Sequence, residues 1–486
     1  MGDNGDGGEK KELKENVKKG KELGRQAIGE GYINPSLQLA RRLISLGVNV
    51  TFATTVLAGR RMKNKTHQTA TTPGLSFATF SDGFDDETLK PNGDLTHYFS
   101  ELRRCGSESL THLITSAANE GRPITFVIYS LLLSWAADIA STYDIPSALF
   151  FAQPATVLAL YFYYFHGYGD TICSKLQDPS SYIELPGLPL LTSQDMPSFF
   201  SPSGPHAFIL PPMREQAEFL GRQSQPKVLV NTFDALEADA LRAIDKLKML
   251  AIGPLIPSAL LGGNDSSDAS FCGDLFQVSS EDYIEWLNSK PDSSVVYISV
   301  GSICVLSDEQ EDELVHALLN SGHTFLWVKR SKENNEGVKQ ETDEEKLKKL
   351  EEQGKMVSWC RQVEVLKHPA LGCFLTHCGW NSTIESLVSG LPVVAFPQQI
   401  DQATNAKLIE DVWKTGVRVK ANTEGIVERE EIRRCLDLVM GSRDGQKEEI
   451  ERNAKKWKEL ARQAIGEGGS SDSNLKTFLW EIDLEI

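Results

Sequence analysis

The sequence has no C-x-x-C pair, although it carries eight cysteines. Their irregular spacing does not make a disulfide framework, and no secretory signal opens the chain. Both absences imply reduced thiols and a cytoplasmic protein. No apolar run reaches the length of a membrane span, so no integral membrane contact is expected. A myristoylation signal lacks its Ser or Thr at the sixth position, where Asp6 stands. Cations are the scarcer charge: 50 Lys and Arg face 67 Asp and Glu, a net charge of −17 at pH 7. That balance excludes a broad nucleic-acid surface.

What is present is ordinary globular material. At 486 residues, 40% hydrophobic and 24% charged, the chain is long enough for two or three domains, each with its own core.

Residues 359–402 carry the densest pattern. Residues 371–378 form an apolar run with Cys, Phe and Thr, bounded by Pro369 and Gly379, and read as a buried strand. Residues 381–389 read as a helix ended by Gly390 and Pro392. Residues 393–396 read as a second short buried strand. Strand, turn, helix, strand is the unit of a parallel sheet, where a ligand sits at the strand's carboxyl end against the helix N-terminus. His377, Gly379, Asn381 and Ser382 fall at that junction. Backbone amides and the helix dipole favour an anion there, His377 adds a donor, and a diphosphate fits. A plainer reading is also open: Ser382-Thr383-Ile384-Glu385 has the form of a capping box, which needs no ligand. A metal site is a third reading, since Cys360, Cys373, His377 and Cys378 include soft ligands. It is the weakest, because Cys373 and Cys378 fall on opposite faces of one strand; no metal is expected.

From the start of the chain, residues 1–10 are rich in Gly and Asp and read as disordered, and residues 11–28 read as a charged helix. The stretch KKGKELGRQAIGEG at 18–31 returns as KKWKELARQAIGEG at 455–468, with only Gly20/Trp457 and Gly24/Ala461 differing. Two copies at opposite ends do not make a solenoid. Asn34 reads as a helix cap with Pro35 in the first turn, Leu37, Ala40, Leu43 and Ile44 facing inward, and Gly47 as the stop. Strands at 48–55, 75–81, 124–130, 148–152 and 228–231, separated by helical stretches such as 95–119, predict a doubly wound α/β domain.

The Pro-rich span 185–212 reads as irregular and exposed: either the wall of a ligand pocket, with Phe199 and Phe200 lining it, or a plain surface loop. Residues 253–285 shift to Gly, Ser, Asp and Pro and read as an interdomain linker. A second series then begins. A strand at 295–300 ends in Gly301-Ser302, a turn able to approach phosphate. Further strands are expected at 324–328, 356–359 and 417–419, with a charge-rich loop and helix at 332–353 and a last helix at 470–486.

The 44 residues from Trp359 to Gln402 resemble the signature box of plant UDP-dependent glycosyltransferases at every key position. The resemblance extends over about residues 32–486. Segments such as SFATFSDGFDD, RCGSESLTHLI and LPGLPLL resemble anthocyanin 5-O-glucosyltransferases, crocetin glucosyltransferases and related phenolic or carboxylic-acid glucosyltransferases. It implies a GT-B fold, two Rossmann-like doubly wound α/β domains facing across a cleft. Residues 32–250 would bind the acceptor, 251–285 link, 286–469 bind the UDP-sugar, and 470–486 return as a helix to the first domain. Residues 1–31 would stand apart as an atypical charged segment.

The resemblance also implies roles. Trp359 stacks on the uracil, with Gln362 and the backbone at Cys360 beside it. Glu385 accepts from the ribose hydroxyls. His377, Asn381 and Ser382 hold the phosphates, and Trp380, Asp401 and Gln402 contact the sugar; the turn at Ser302, read from its place after a strand, adds a further UDP-sugar-binding candidate. Gln402 marks glucose rather than galactose. UDP-glucose would be the donor, with no further cofactor, and a small-molecule acceptor the other partner of a monomer.

The family transfers glucose with inversion, using a His base held by an Asp. Here Tyr32 stands in the His position and Ser130 in the Asp position, and nothing strand-like precedes Tyr32, which would leave the first sheet with an unpaired strand. A phenol titrates near pH ~10 and an imidazole near ~6.5, so Tyr32 is a poor base at neutral pH. The expected function is transfer of glucose to a hydroxyl or carboxyl of a phenolic, flavonoid or carboxylic acid. The alternative is a catalytically impaired UDP-sugar-binding protein.

Overall fold

The computed structural model describes residues 31–65, 72–86, 95–178, 180–201, 204, 206–257, 260, 282–301, 304–329, 344–441 and 445–482. The readings made for residues 1–30, for most of the linker and for Ser302 lie outside these residues. The chain divides into two compact units. One ends at Leu255 and is rejoined from Ala464 onward; the other is Ile256–Gln463.

The first unit opens with a helix, α1, which is already formed at residue 31 and runs to 45. Asn34 and Pro35 therefore lie inside it and do not start it. The reason is packing: the buried stripe of Leu37, Ala40 and Leu43 is extended upstream by Ile33, so burial carries the helix past the expected cap. Strands β1 (Val50–Thr55) and β2 (Leu75–Phe80) pair in parallel as a two-stranded sheet. A separate parallel sheet has the order β3-β4-β7-β8, from Val127–Ser130, Ser147–Phe151, Lys227–Val230 and Lys248–Ala251, while β5 (Tyr182–Ile183) and β6 (Leu191–Thr192) pair only with each other, antiparallel. Among the described residues β1 and β3 do not pair, so the first unit's parallel strands are split between two sheets.

The core of this unit joins Leu39 and Leu43 of α1, Phe150, Leu229 and Leu250 of the sheet, and Leu475, Phe478 and Leu479 of the last helix, Ser470–Glu481. That helix is tied to the strand β8 and its exit by Ser471 Oγ donating to the Gly253 carbonyl at 2.5 Å and Asn474 Nδ2 donating to Ala251 O at 2.9 Å. The helix Ala155–Tyr163 is buried along its whole length and begins after Pro154, which offers no capping side chain. Buried Glu237 supplies the cap from elsewhere, accepting from the amides of Ala155 and Thr156 at 2.9 Å each.

The Pro-rich span at 185–212 is neither exposed nor irregular throughout. It contains the short strand Leu191–Thr192 and 3-10 turns at Ser193–Asp195, Ser198–Phe200 and Ala207–Ile209. Phe199 and Phe200 have no exposed surface. They pack edge-on against Tyr161, and Phe200 stacks on Tyr164 at 4.5 Å. Two adjacent phenyl rings bury too much apolar area to stay at a pocket wall when an aromatic helix face lies beside them.

The second unit is one six-stranded parallel sheet, order β11-β10-β9-β12-β13-β14. Its strands are β9 (Val295–Ser299), β10 (Thr324–Val328), β11 (Lys355–Val357), β12 (Leu371–Thr376), β13 (Val393–Ala395) and β14 (Gly416–Arg418). β9 and β12 lie side by side at its centre. From β9 the chain winds outward through β10 and β11; from β12 it winds the other way through β13 and β14. The order reverses between β9 and β12, which is where open α/β sheets bind ligands. Every residue of β9 is buried, as a central strand covered on both faces requires.

Candidate functional site at the sheet's switch point

The loops leaving β9 and β12 meet through glycine and histidine. Gly301 follows β9 with φ +85°, and His377 follows β12. A Cβ on Gly301 would stand 2.5 Å from His377 Nε2, and a Cβ on Gly379 equally close. The half-buried imidazole is thus held between two backbones that only glycine allows to come so near. Burial pushes its pKa down to about 4, so at pH 7 it is neutral and offers one N–H.

The helix Trp380–Ser389 begins directly after this loop, and its N-cap is Gly379, which has no side chain to give. Ser382 and Glu385 lie inside the helix, so the capping-box reading is wrong. Ser382 Oγ and Glu385 Oε2 instead accept from Gln362 Nε2, at 3.0 and 2.6 Å. A helix end without a side-chain cap, beside a neutral histidine, is suited to an anion.

Gln362 in turn accepts through Oε1 from the hydroxyl of Tyr297 at 3.1 Å. That hydroxyl also lies 3.3 Å from Cys360 Sγ. Tyr297 is 1% exposed and stacks on Phe374 at 4.8 Å. A polar chain therefore runs from the core of β9 to Glu385. Burial pushes the Glu385 carboxyl up to about 7, opposed by the hydrogen bond from Gln362. Trp359, one residue before the buried Cys360, is half-buried and keeps part of its indole open, as stacking on a base requires.

Asp401 and Gln402, each 5% exposed, stand at the start of the helix Gln402–Lys407. Burial pushes the Asp401 carboxyl up to about 6, opposed by Asn405, whose Nδ2 donates to Asp401 Oδ2 at 3.0 Å. Gln402 Oε1 accepts from the amides of Gln398 and Gln399, at 2.9 and 2.8 Å, which turns its NH₂ group the other way. Two residues of these loops take φ values that side chains rarely adopt, Cys378 at 64° and the β-branched Ile400 at 59°.

The sequence-predicted residues Trp359, Cys360, Gln362, His377, Asn381, Ser382, Glu385, Asp401 and Gln402 all lie on the β11, β12 and β13 exits or the helix N-terminus between them. Trp380 is the exception in kind. The residue is 4% exposed, and its ring packs 6.0 Å from that of Trp413. The soft side chains do not gather: among the described residues no three His, Cys, Asp or Glu come together as a metal site. Tyr297 and Asn405 were missed. A hydroxyl in an otherwise apolar buried strand has to find a partner, which was the available signal for Tyr297. Asn405 stands four residues after Asp401 on a helix, the spacing that brings side chains together.

In the first unit, Ser130 ends β3 and is half-buried. Tyr32 lies in α1 and packs against the same core cluster as Ile128, two residues before Ser130. The following turn holds Leu132 at φ 69°.

Two units of parallel-sheet α/β structure, one with an anion-suited switch point flanked by an open indole and by the separate carboxyl groups of Glu385 and Asp401, define a GT-B glycosyltransferase using a nucleotide-sugar. The solved rice protein Os79 bound to UDP superposes with a TM-score of 0.79 at 33% identity, covering 93% of this chain and 98% of that one. Residues 267–452 match the family model "UDP-glucoronosyl and UDP-glucosyl transferase". Crocetin glucosyltransferase of Gardenia jasminoides is 54% identical over 454 residues, 93% of this chain and 94% of its own. Phloretin 4'-O-glucosyltransferase of Malus domestica is 54% identical over 466 residues, 93% and 96% of the two chains. The anthocyanidin 3-O-glucoside 5-O-glucosyltransferase of Verbena hybrida is 50% identical over 462 residues, again 93% and 96%. The chain belongs to the UDP-glycosyltransferase family and is an enzyme of that class. The alternative of a catalytically impaired binding protein gains no support from relatives that are glucosyltransferases by name. No helix among the described residues is long and apolar enough to cross a membrane.

Proposed function

We propose that the chain transfers glucose from UDP-glucose, with inversion, to a hydroxyl or carboxyl of a small plant phenolic, flavonoid or carboxylic acid. One observation carries the donor assignment: His377 is held neutral between Gly301 and Gly379 beside a helix start that has no side-chain cap. In this reading the diphosphate lies on that helix start, with His377, Asn381 and Ser382 donating. Uracil stacks on Trp359, the ribose diol donates to Glu385, and the sugar meets Asp401 and the NH₂ of Gln402. The names of the relatives favour glucose and a phenolic or related acceptor.

The acceptor oxygen attacks the anomeric carbon, the bond from that carbon to the diphosphate oxygen breaks, and the electron pair leaves with UDP. The helix start and His377 stabilise that leaving charge. A hydroxyl acceptor must also give up a proton, and Tyr32, at the position where the family places its base, is a phenol packed against a core cluster. A carboxylic acid is ionised at neutral pH, since such groups titrate near ~4, and needs no base. The reading therefore favours carboxylate acceptors, and Ser130 holds no base in place. Reduced thiols suit a reducing compartment such as the cytosol; the Gardenia relative is named as chloroplastic.

Calorimetry with UDP, followed by UDP-release assays with UDP-glucose and UDP-galactose on matched carboxylate and phenol acceptors, tests this. Micromolar UDP binding, preference for glucose, and phenol turnover about 10²–10⁴-fold below carboxylate are expected, with Tyr32→His raising the phenol rate. Absent UDP binding would overturn the donor assignment; equal rates on both acceptor classes would overturn the acceptor preference.

A further inference from the structure

The two strained loops of the donor site share one side chain. Asn405 has no exposed surface. Its single amide nitrogen donates to the carbonyl of Cys378 at 2.8 Å and to Asp401 Oδ2 at 3.0 Å. Those two donations use both of its hydrogens. Cys378 is the residue at φ 64° between His377 and Gly379, and Asp401 follows Ile400 at φ 59°. Neither conformation is favourable for a residue with a Cβ, and each persists only where its surroundings over-determine it. Asn405 is a common restraint on both.

We propose that Asn405 is a positioning residue that locks the His377–Gly379 turn to the Asp401 carboxylate, so that the phosphate and sugar portions of the donor are read by one rigid unit. This rests on the donor assignment above. Asn405, with no exposed surface, is assigned no contact with either portion. Its helix, Gln402–Lys407, carries Gln402 at one end, and Gln402 ties the preceding loop through the amides of Gln398 and Gln399. Among the described residues, the buried amide oxygen of Asn405 has no hydrogen-bond partner. Leaving it so is unfavourable, which fits a side chain fixed by what its nitrogen must hold. The ionisable groups nearby are Cys378, whose thiol burial pushes up to about 12 so that it stays neutral, and Arg418 of β14, which acts on Cys378.

The test uses Asn405→Leu, Asn405→Ser and Asp401→Ala in the full chain, with UDP affinity by calorimetry, KM and kcat for UDP-glucose, and the pH profile of kcat/KM. UDP has no sugar, so a loss of UDP affinity in Asp401→Ala, expected at about two- to fivefold, reports the broken lock to Asn405 and not a missing sugar contact. Asn405→Leu is expected to weaken UDP at least fivefold, because the turn loosens. It also removes a donor to the ionised Asp401, so the acidic limb of the profile moves to higher pH. Asn405→Ser, which keeps one donor and less bulk, gives intermediate values and serves if the leucine variant does not fold. Wild-type UDP affinity together with an unmoved acidic limb in a folded variant would reduce Asn405 to core packing and overturn the proposal. Failure of the unmodified chain to bind UDP would instead strike the donor assignment itself, and this proposal with it.

Discussion

Gly301 and His377 come from different strands, yet a single added methyl on Gly301 would fall 2.5 Å from the imidazole Nε2. The same distance separates that atom from a Cβ on Gly379. Gly301→Ala or Gly379→Ala must therefore displace the ring from its place beside the helix start, and Gly301 at φ +85° adds backbone strain. Each variant is expected to weaken UDP binding about 10- to 100-fold, the equivalent of one hydrogen bond to a charged group at about 1.5–3 kcal/mol. Titration calorimetry reads this directly, and affinity like the wild type in both variants would remove His377 from the phosphate site.

Glu385 sets a pH dependence. Burial raises its folded pKa to about 7, while an unfolded glutamate titrates near ~4.3. Between those values the folded chain holds a proton that the unfolded chain has released. Stability of the ligand-free protein therefore declines as pH rises across this window. A ribose diol donates to the ionised carboxylate, so bound UDP favours the deprotonated form. The rise in Tm caused by UDP should grow from pH 5.5 to 8, and Glu385→Gln should flatten that growth. His377, at about 4, does not titrate in this range.

Tyr297→Phe removes one hydroxyl and no packing. Gln362 loses the donor to its Oε1 and with it the orientation that delivers Nε2 to Glu385. A neutral hydrogen bond is worth about 0.5–1.5 kcal/mol, so KM for UDP-glucose should rise about 2- to 10-fold with kcat nearly unchanged. A fall in kcat with constant KM would contradict this route of action.

The two tryptophans of the box separate binding from folding. Trp359→Ala removes a half-exposed face and should raise KM with little change in Tm. Trp380→Ala removes a ring packed on Trp413 and should destabilise the fold by about 3–5 kcal/mol. Chemical denaturation of both variants checks this, and the reverse pattern would exchange their roles.

Much of this was legible in the sequence because parallel-sheet strands covered on both faces read as short apolar runs. The expected strand at 324–328 and helix at 95–119 match Thr324–Val328 and Leu95–Asn119 to the residue. The strand–turn–helix–strand reading of 371–396 matches Leu371–Thr376, Trp380–Ser389 and Val393–Ala395 for the same reason. What stayed hidden were facts of tertiary pairing. Ser382 and Glu385 have capping-box spacing, but Gln362, twenty residues upstream, takes both side chains. Phe199 and Phe200 sit among prolines and glycines, which read as a loop, yet the aromatic face of the helix Ala155–Tyr163 draws them into the interior. The cap expected at Asn34 gave way to burial of Ile33 one position earlier. Local rules failed where distant residues competed for the same group.

Because the Gln402 carbonyl is already engaged by the amides of Gln398 and Gln399, the side chain can show an incoming hexose only hydrogens. Glutamate at this position would keep both amides satisfied through one oxygen and turn the other toward the hexose. Shape would be conserved while the polarity of the greeting reversed, from one that asks a hydroxyl for its lone pair to one that asks for its proton. Libraries aimed at changing which hexose is accepted can therefore alter donor–acceptor sense here without redesigning the loop.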